Sequence, residues 1–211
     1  FKENSYDLRF PNFKDLRSKP FWESLPYKSV IINVPGTYPV REMNGVHISG
    51  FVSVDIEKSV YPKSLIPALD SMNYTLDVDS QKAHESMGLF LEDLEMNLKG
   101  QINAYRYLWE NYDWNVFMLV FTGTDRLMHF LWEAYENKDH KYHNFFIKFF
   151  RRIDEVISEI NEKISSQDSL ILLSDHGFEG IYKDVYINHL LMDNKFLSFS
   201  NSVNPRFCDI D

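Results

Sequence analysis

One segment of the sequence carries an acid and a histidine at a spacing that suits metal binding. In "FTGTDRLMHFLW" (121–132), Asp125 and His129 stand four positions apart. On a helix this spacing puts both side chains on one face, with Cβ atoms roughly 5–6 Å apart. A carboxylate oxygen and an imidazole nitrogen can then reach one cation. The structural alternative is that Asp125 caps the helix and His129 packs among apolar neighbours.

A second segment brings an acid and a histidine next to each other. In "LILLSDHGF" (170–178), an apolar run ends at Asp175 and His176, and Gly177 follows. Adjacent residues on a strand point to opposite faces, so these two side chains can bind the same metal ion only if the chain turns there. A glycine permits such a turn. The structural alternative is a strand-to-loop corner with a solvated aspartate.

Apolar strands and long helices must position these two segments. The predicted strands are 29–34, 115–121, 169–174 and 196–199, and 44–54 is either a hairpin or an irregular excursion. The predicted helices are 19–25, 86–112, 125–136, 140–164 and 184–194. Strands that are apolar throughout and separated by long helices predict an α/β fold, with a mostly parallel central sheet and helices on both faces.

The predicted topology brings the two segments to the same edge of the sheet. Both follow predicted parallel strands, and the molecules that such sheets bind lie outside the carboxyl ends of the strands. Two aspartates and two histidines suit zinc, with manganese as an alternative. For two metals, however, four ligands leave only two protein ligands each, whereas catalytic zinc usually has about three. The sequence therefore predicts an incomplete two-metal site.

Two further residues are weaker candidates for a binding site. Tyr38 and His47 are predicted to lie on a loop that follows the end of the first predicted strand. They are predicted to line the substrate pocket, with a structural role as the alternative. After the 184–194 helix, Asn194 is predicted to adopt the left-handed conformation that ends helices, because Lys195 stands where a glycine is expected.

Composition narrows the range of functions. The chain has 211 residues and a net charge of −9, with 31 acidic against 22 basic residues, which disfavours nucleic-acid binding. The single cysteine, Cys208, excludes an internal disulfide and a cysteine-based zinc site. No apolar run is long enough to span a membrane, so a cytoplasmic protein is expected. Nothing in the sequence predicts an oligomeric state.

Taken in order, these segments resemble the type I phosphodiesterase/nucleotide pyrophosphatase family of the alkaline phosphatase superfamily. "FTGTDRLMHFLW" resembles its Asp-x-x-x-His metal segment, and "LLSDHGF" resembles its Asp-His-Gly segment. The other stretches that look like family members are "PFWESL", "INVPGTYPVREMNGVHISGF", "WNVFMLVF" and "VYINHLLMDNKFL". The ordered set, rather than any one piece, is specific.

The resemblance implies a two-zinc hydrolase of phosphodiester or pyrophosphate bonds, acting on a small phosphate ester or nucleotide through a covalent phospho-enzyme. Asp125 and His129 would hold one zinc, and Asp175 and His176 the other. The nucleophile and the remaining ligands are expected outside the chain, so residues 1–211 are interpreted as the central part of one alkaline phosphatase-like domain. The alternative is a non-catalytic metal-binding or interaction module.

Overall fold

The chain contains both strands and helices, with the longest helices in the range 87–163. The computed structural model describes residues 11–198, which fall into two units, 11–176 and 177–198. The strands are β1 (Ser29–Val34), β2 (Gly45–Ser49), β3 (Val60–Tyr61) and β4 (Val116–Leu119). The α-helices are α1 (Phe21–Ser24), α2 (Ile56–Ser59), α3 (Ile66–Ser71), α4 (Gln81–Glu85), α5 (Met87–Asn111), α6 (Gly123–Glu136), α7 (His143–Lys163) and α8 (Ile187–Asp193).

The four strands form one mostly parallel sheet in the order β3-β2-β1-β4. β1 runs parallel to both β2 and β4, and β3 pairs antiparallel with β2. The predicted α/β fold class is therefore confirmed. The hairpin alternative for 44–54 is wrong, because this range contains a single strand, β2, which runs parallel to β1. Gly45 starts β2 with φ +136°, and a Cβ there would lie 2.0 Å from the Ser29 carbonyl oxygen.

Both faces of the sheet are covered by apolar side chains. Val30 and Ile32 pack on one face with α3 and α5, whereas Ile31 packs on the other face with Phe13 and Trp22. Alternate residues of a strand point to opposite faces, so this continuous apolar strand is buried on both. The result is a sheet covered on both faces, whose parallel strands end along one edge.

The long helices follow the predicted periodicity closely. α5 covers nearly the whole of 86–112, and its apolar stripe includes Phe90, Leu94 and Leu98, all fully or almost fully buried. α6 and α7 pack against the same cluster. The helix predicted over 140–164 starts later, at His143. None of the helices within residues 11–198 combines the length and apolar character needed to cross a membrane.

The prediction of a buried strand over 169–174 is wrong. This segment has no regular secondary structure, and Ile171, Leu172 and Leu173 are 72%, 63% and 87% exposed. A strand needs a neighbour for its backbone N–H and C=O groups. Within the part of the chain that the structure describes, no strand pairs with this segment. An apolar run can show that a segment favours a strand, but it does not identify the partner.

Because Leu173 is exposed, its substitution is expected to have a small effect on stability. Leu173→Ala is expected to change the free energy of unfolding by less than about 0.5 kcal/mol, as is usual for exposed positions. The matched control is Leu94→Ala in the buried core, for which a loss of about 2–5 kcal/mol is expected. Denaturant unfolding measures both. A loss of about 2 kcal/mol or more at Leu173 would instead support the buried strand.

The smaller unit contains α8, which lies inside the helix predicted over 184–194. The left-handed residue at its end is Lys195, with φ 60°, whereas Asn194 has φ −88°. The assignment of the left-handed residue to Asn194 is therefore wrong by one position. The strand predicted over 196–199 is also wrong for residues 196–198, which form no strand. Its last residue, Phe199, lies outside the described residues.

Candidate metal centre

The start of α6 carries the first acid-histidine pair. Only a short connection separates the end of β4 from α6, and Asp125 lies in the first turn of that helix. Asp125 Oδ1 lies 3.5 Å from His129 Nε2, so both side chains share one helix face. Both side chains reach solvent, which leaves the pair accessible to a cation.

The second pair meets the first at Asp125. The chain bends at Asp175, where the Ser174 hydroxyl donates to the His176 carbonyl oxygen over 2.6 Å. His176 Nε2 then lies 3.6 Å from Asp125 Oδ1 and 3.7 Å from Asp175 Oδ2. Asp125 is thus the residue of the first segment that contacts the second. Gly177 is not among the glycines with positive φ, so the bend does not depend on a left-handed glycine.

The donor set fits a divalent cation in kind but does not form a complete site. Carboxylate and imidazole are the ligands that zinc accepts in catalytic sites. Nevertheless, in residues 11–198 no group of three or more His, Cys, Asp or Glu side chains is arranged to hold a metal ion. Asp125 lies close to the imidazole of His129 and to that of His176. These are separate close pairs, and they do not amount to a group of three or more side chains around one ion. The described residues supply partial ligand sets.

Contacts around the connection between β4 and α6 hold the start of α6 in place. Asn33 has φ 63° at the irregular end of β1, and its side-chain amide donates to the Val120 carbonyl oxygen over 3.3 Å. The Thr124 hydroxyl donates to the Phe121 carbonyl oxygen over 2.9 Å. At Gly123, a Cβ would lie 3.0 Å from the ring of Phe149. The first turn of α6 therefore sits close against α7.

The sequence did not predict the ion pair that Arg126, the residue after Asp125, forms with Asp77. Arg126 Nη2 donates to Asp77 Oδ2 over 2.7 Å, and the Arg126 guanidinium lies 4.1 Å from the centre of the Phe51 ring. An arginine beside a candidate ligand was the available signal. Its partners come from distant parts of the sequence, so no local pattern identifies them.

The two weaker candidates lie in different surroundings. His47 belongs to β2 rather than to a loop, and it is fully buried between Phe13 and Trp22. Burial lowers the pKa of His47 from 6.5 to about 4, and neither ring nitrogen has a hydrogen-bond partner among the described residues. The expectation that His47 lies on a loop is wrong. Tyr38 is half-buried, and its carbonyl oxygen accepts from the Phe13 amide over 2.9 Å.

Comparison with known proteins relates the whole described region to one family. The model of the family described as "Type I phosphodiesterase / nucleotide pyrophosphatase" matches residues 3–205. The match includes both acid-histidine segments as well as the sheet. Searches of curated proteins and of solved structures gave no match.

Proposed function

The chain belongs to the type I phosphodiesterase/nucleotide pyrophosphatase family, and from this premise we propose that it carries half of the ligands of a two-zinc hydrolytic centre. The family implies hydrolysis of phosphodiester or pyrophosphate bonds. The proposal adds zinc, the four ligands and a covalent phospho-enzyme. The observation that carries it is the position of Asp125, whose carboxylate lies 3.5 Å and 3.6 Å from the imidazoles of His129 and His176.

These distances suit neighbouring ligands of a metal. Zinc binds imidazole nitrogen and carboxylate oxygen at about 2.0–2.2 Å in tetrahedral sites, which separates neighbouring ligand atoms by roughly 3.3–3.6 Å. The distances within the two pairs are 3.5 Å between Asp125 and His129 and 3.7 Å between Asp175 and His176, which are inside or close to this range. Manganese is the alternative, because it also accepts carboxylate and imidazole ligands.

Each acid-histidine pair has a separate role in the proposal. Asp125 and His129 would hold one zinc, and Asp175 and His176 the other. The contact between Asp125 and His176 supports placing the two metals side by side. Bound zinc would lower the pKa of the attacking hydroxyl and stabilise charge on the attacking and leaving oxygens. The attacking hydroxyl and the remaining ligands are not assigned to residues of this chain.

The fold fits a small phosphate ester or nucleotide as the substrate, provided that metal ions offset the negative charge of the protein. The net charge of −9 opposes binding of an anion unless metal ions supply positive charge locally. The candidate ligands lie just beyond the carboxyl end of β4, at the edge where open parallel sheets bind their ligands. We include the whole chain in this proposal as part of one α/β domain of the family.

The proposal is tested by hydrolysis of bis(p-nitrophenyl) phosphate. The purified full-length protein is assayed after chelation and after addition of zinc. Zinc-dependent release of nitrophenol is expected, and the corresponding monoester separates phosphodiesterase from phosphatase activity. Absence of product in the presence of saturating zinc would contradict the proposed activity.

A second candidate function is a metal-binding or interaction module without catalysis. It is favoured by the finding that residues 11–198 contain no group of three or more suitable side chains arranged around one ion. Zinc titration combined with the same assay separates the two. Bound zinc without turnover would support the module, whereas zinc-dependent turnover would support the hydrolase.

A further inference from the structure

Arg126, which follows the candidate ligand Asp125, is held from two sides. Its guanidinium donates to Asp77 Oδ2 over 2.7 Å and lies 4.1 Å from the centre of the Phe51 ring. The side chains of Arg126 and Asp77 are only 16% and 17% exposed. An ion pair shielded to this degree is screened less by salt than a surface pair. We call these three residues the Arg126 clamp.

The clamp joins three segments at the edge of the sheet that carries the candidate ligands. Phe51 follows β2, Asp77 precedes α4, and Arg126 lies in the first turn of α6. β2 and β4 are both parallel to β1, so their carboxyl ends lie along the same edge. The clamp therefore ties the beginning of α6 to the loop of another strand.

The clamp contains buried polar atoms that form no hydrogen bond with the described residues. Arg126 Nε and Asp77 Oδ1 are buried without a hydrogen-bond partner among the described residues, and the same holds for Thr122 Oγ1 just before α6. Buried polar atoms without partners are destabilising, and a buried ion pair is often no more stable than apolar residues of similar volume. Stability alone is thus a poor explanation for the pair. Its effect on the geometry of neighbouring groups is a better one.

The neighbour whose geometry depends most directly on the clamp is Asp125. Successive residues of a helix project about 100° apart, so Arg126 can hold the first turn while Asp125 points elsewhere. The direction of the Asp125 carboxylate is set by the backbone of that turn. The Arg126 amide also donates to the Thr122 carbonyl oxygen over 3.2 Å, so the arginine is anchored through both its backbone and its side chain.

We propose that Arg126 is a positioning residue for the metal centre, acting with Asp77 and Phe51 to fix the Asp125 carboxylate towards its two imidazole neighbours. This inference rests on the proposed function, because it assigns Asp125 to a metal. It makes Arg126 neither a ligand nor a group that touches substrate. Groups that orient metal ligands typically change metal affinity by about 10–100-fold when they are removed.

The test measures zinc affinity of the purified chain by competition with a chromophoric chelator. Arg126→Gln and Asp77→Asn are each expected to raise the dissociation constant of zinc about tenfold. The double variant is expected to be no weaker than either single variant, because both changes break the same contact. Arg126→Lys, which keeps the charge but not the planar group, is expected to recover part of the affinity.

A matched control comes from another arginine-carboxylate pair. Arg106 on α5 donates to Glu159 Oε2 on α7 over 2.6 Å, and Arg106→Gln removes the same charge and leaves the same side chain. Its dissociation constant for zinc is expected to stay within about twofold of the original value, as expected for a pair that orients no ligand. Hydrogen exchange over residues 121–130 should increase in Arg126→Gln and remain unchanged in Arg106→Gln.

The outcomes separate this inference from the proposed function. If Asp125→Ala loses zinc binding while Arg126→Gln and Asp77→Asn keep full affinity, the positioning role is wrong and the metal centre stands. If the unsubstituted chain binds no zinc, both are overturned. Should Arg126→Gln fail to fold, Asp77→Asn and Phe51→Leu provide the same comparison, and unchanged affinity in both would contradict the role.

Discussion

Asp125→Ala in the full-length protein is expected to lower kcat/KM for a phosphodiester by about a thousandfold or more, because a metal centre supplies several kcal/mol of transition-state stabilisation. Asp125 is the residue that both imidazoles approach, at 3.5 Å and 3.6 Å. Removing its carboxylate takes a ligand from one proposed zinc and also removes the contact with His176. Rates measured over a range of zinc concentrations show whether added metal restores activity, which it should do only partly.

The control for this substitution is Asp113→Ala. Asp113 is also an aspartate, but its side chain is 86% exposed and pairs with Lys28 at the surface. Its replacement removes the same charge and is expected to leave kcat/KM within about twofold, because exposed ion pairs contribute little. If Asp125→Ala and Asp113→Ala had the same small effect, the assignment of Asp125 to the reaction would be wrong.

The second large effect concerns stability in acid. Between pH 6.5 and pH 4, His47 is expected to reduce the free energy of unfolding by about 3 kcal/mol, at 1.36 kcal/mol for each unit of pKa difference. Burial lowers the pKa of His47 from 6.5 to about 4. In this window the unfolded imidazole binds a proton and the folded imidazole does not. Stability therefore rises with pH up to about 6.5, and the destabilisation is complete near pH 4.

His47→Leu isolates this contribution. Leucine keeps an apolar side chain between Phe13 and Trp22 but takes up no proton. The variant is expected to lose most of the dependence between pH 6.5 and pH 4, and carboxylates titrating near pH 4 affect both proteins alike. Denaturant unfolding at several pH values measures the difference, and parallel profiles for the two proteins would contradict the buried neutral imidazole.

The sequence predicts those parts of the fold that depend on local pattern. The stripe of Phe90, Leu94 and Leu98 repeats at helical spacing and is buried along α5. The β-branched run of β1 predicts a buried strand. In the structure, Val30 and Ile31 are buried on opposite faces of the sheet. The four-residue spacing of Asp125 and His129 likewise predicts the face that they share.

The parts that the sequence does not predict depend on partners far along the chain. Leu173 belongs to an apolar run typical of a buried strand, yet its side chain is 87% exposed. A strand forms only where a neighbour completes its hydrogen bonds. Arg126 and Asp77 are 49 positions apart, and no spacing rule connects them. Pairing across such distances is set by the packing of the sheet and its loops.

The position of the proposed metals can be measured directly by anomalous diffraction at the zinc edge from crystals soaked in zinc. The proposal predicts a peak about 2.0–2.2 Å from a carboxylate oxygen of Asp125 and from an imidazole nitrogen of His129. A second peak is predicted beside Asp175 and His176. Fully soaked crystals with no peak at Asp125, or with zinc bound only at unrelated surface residues, would contradict the metal centre.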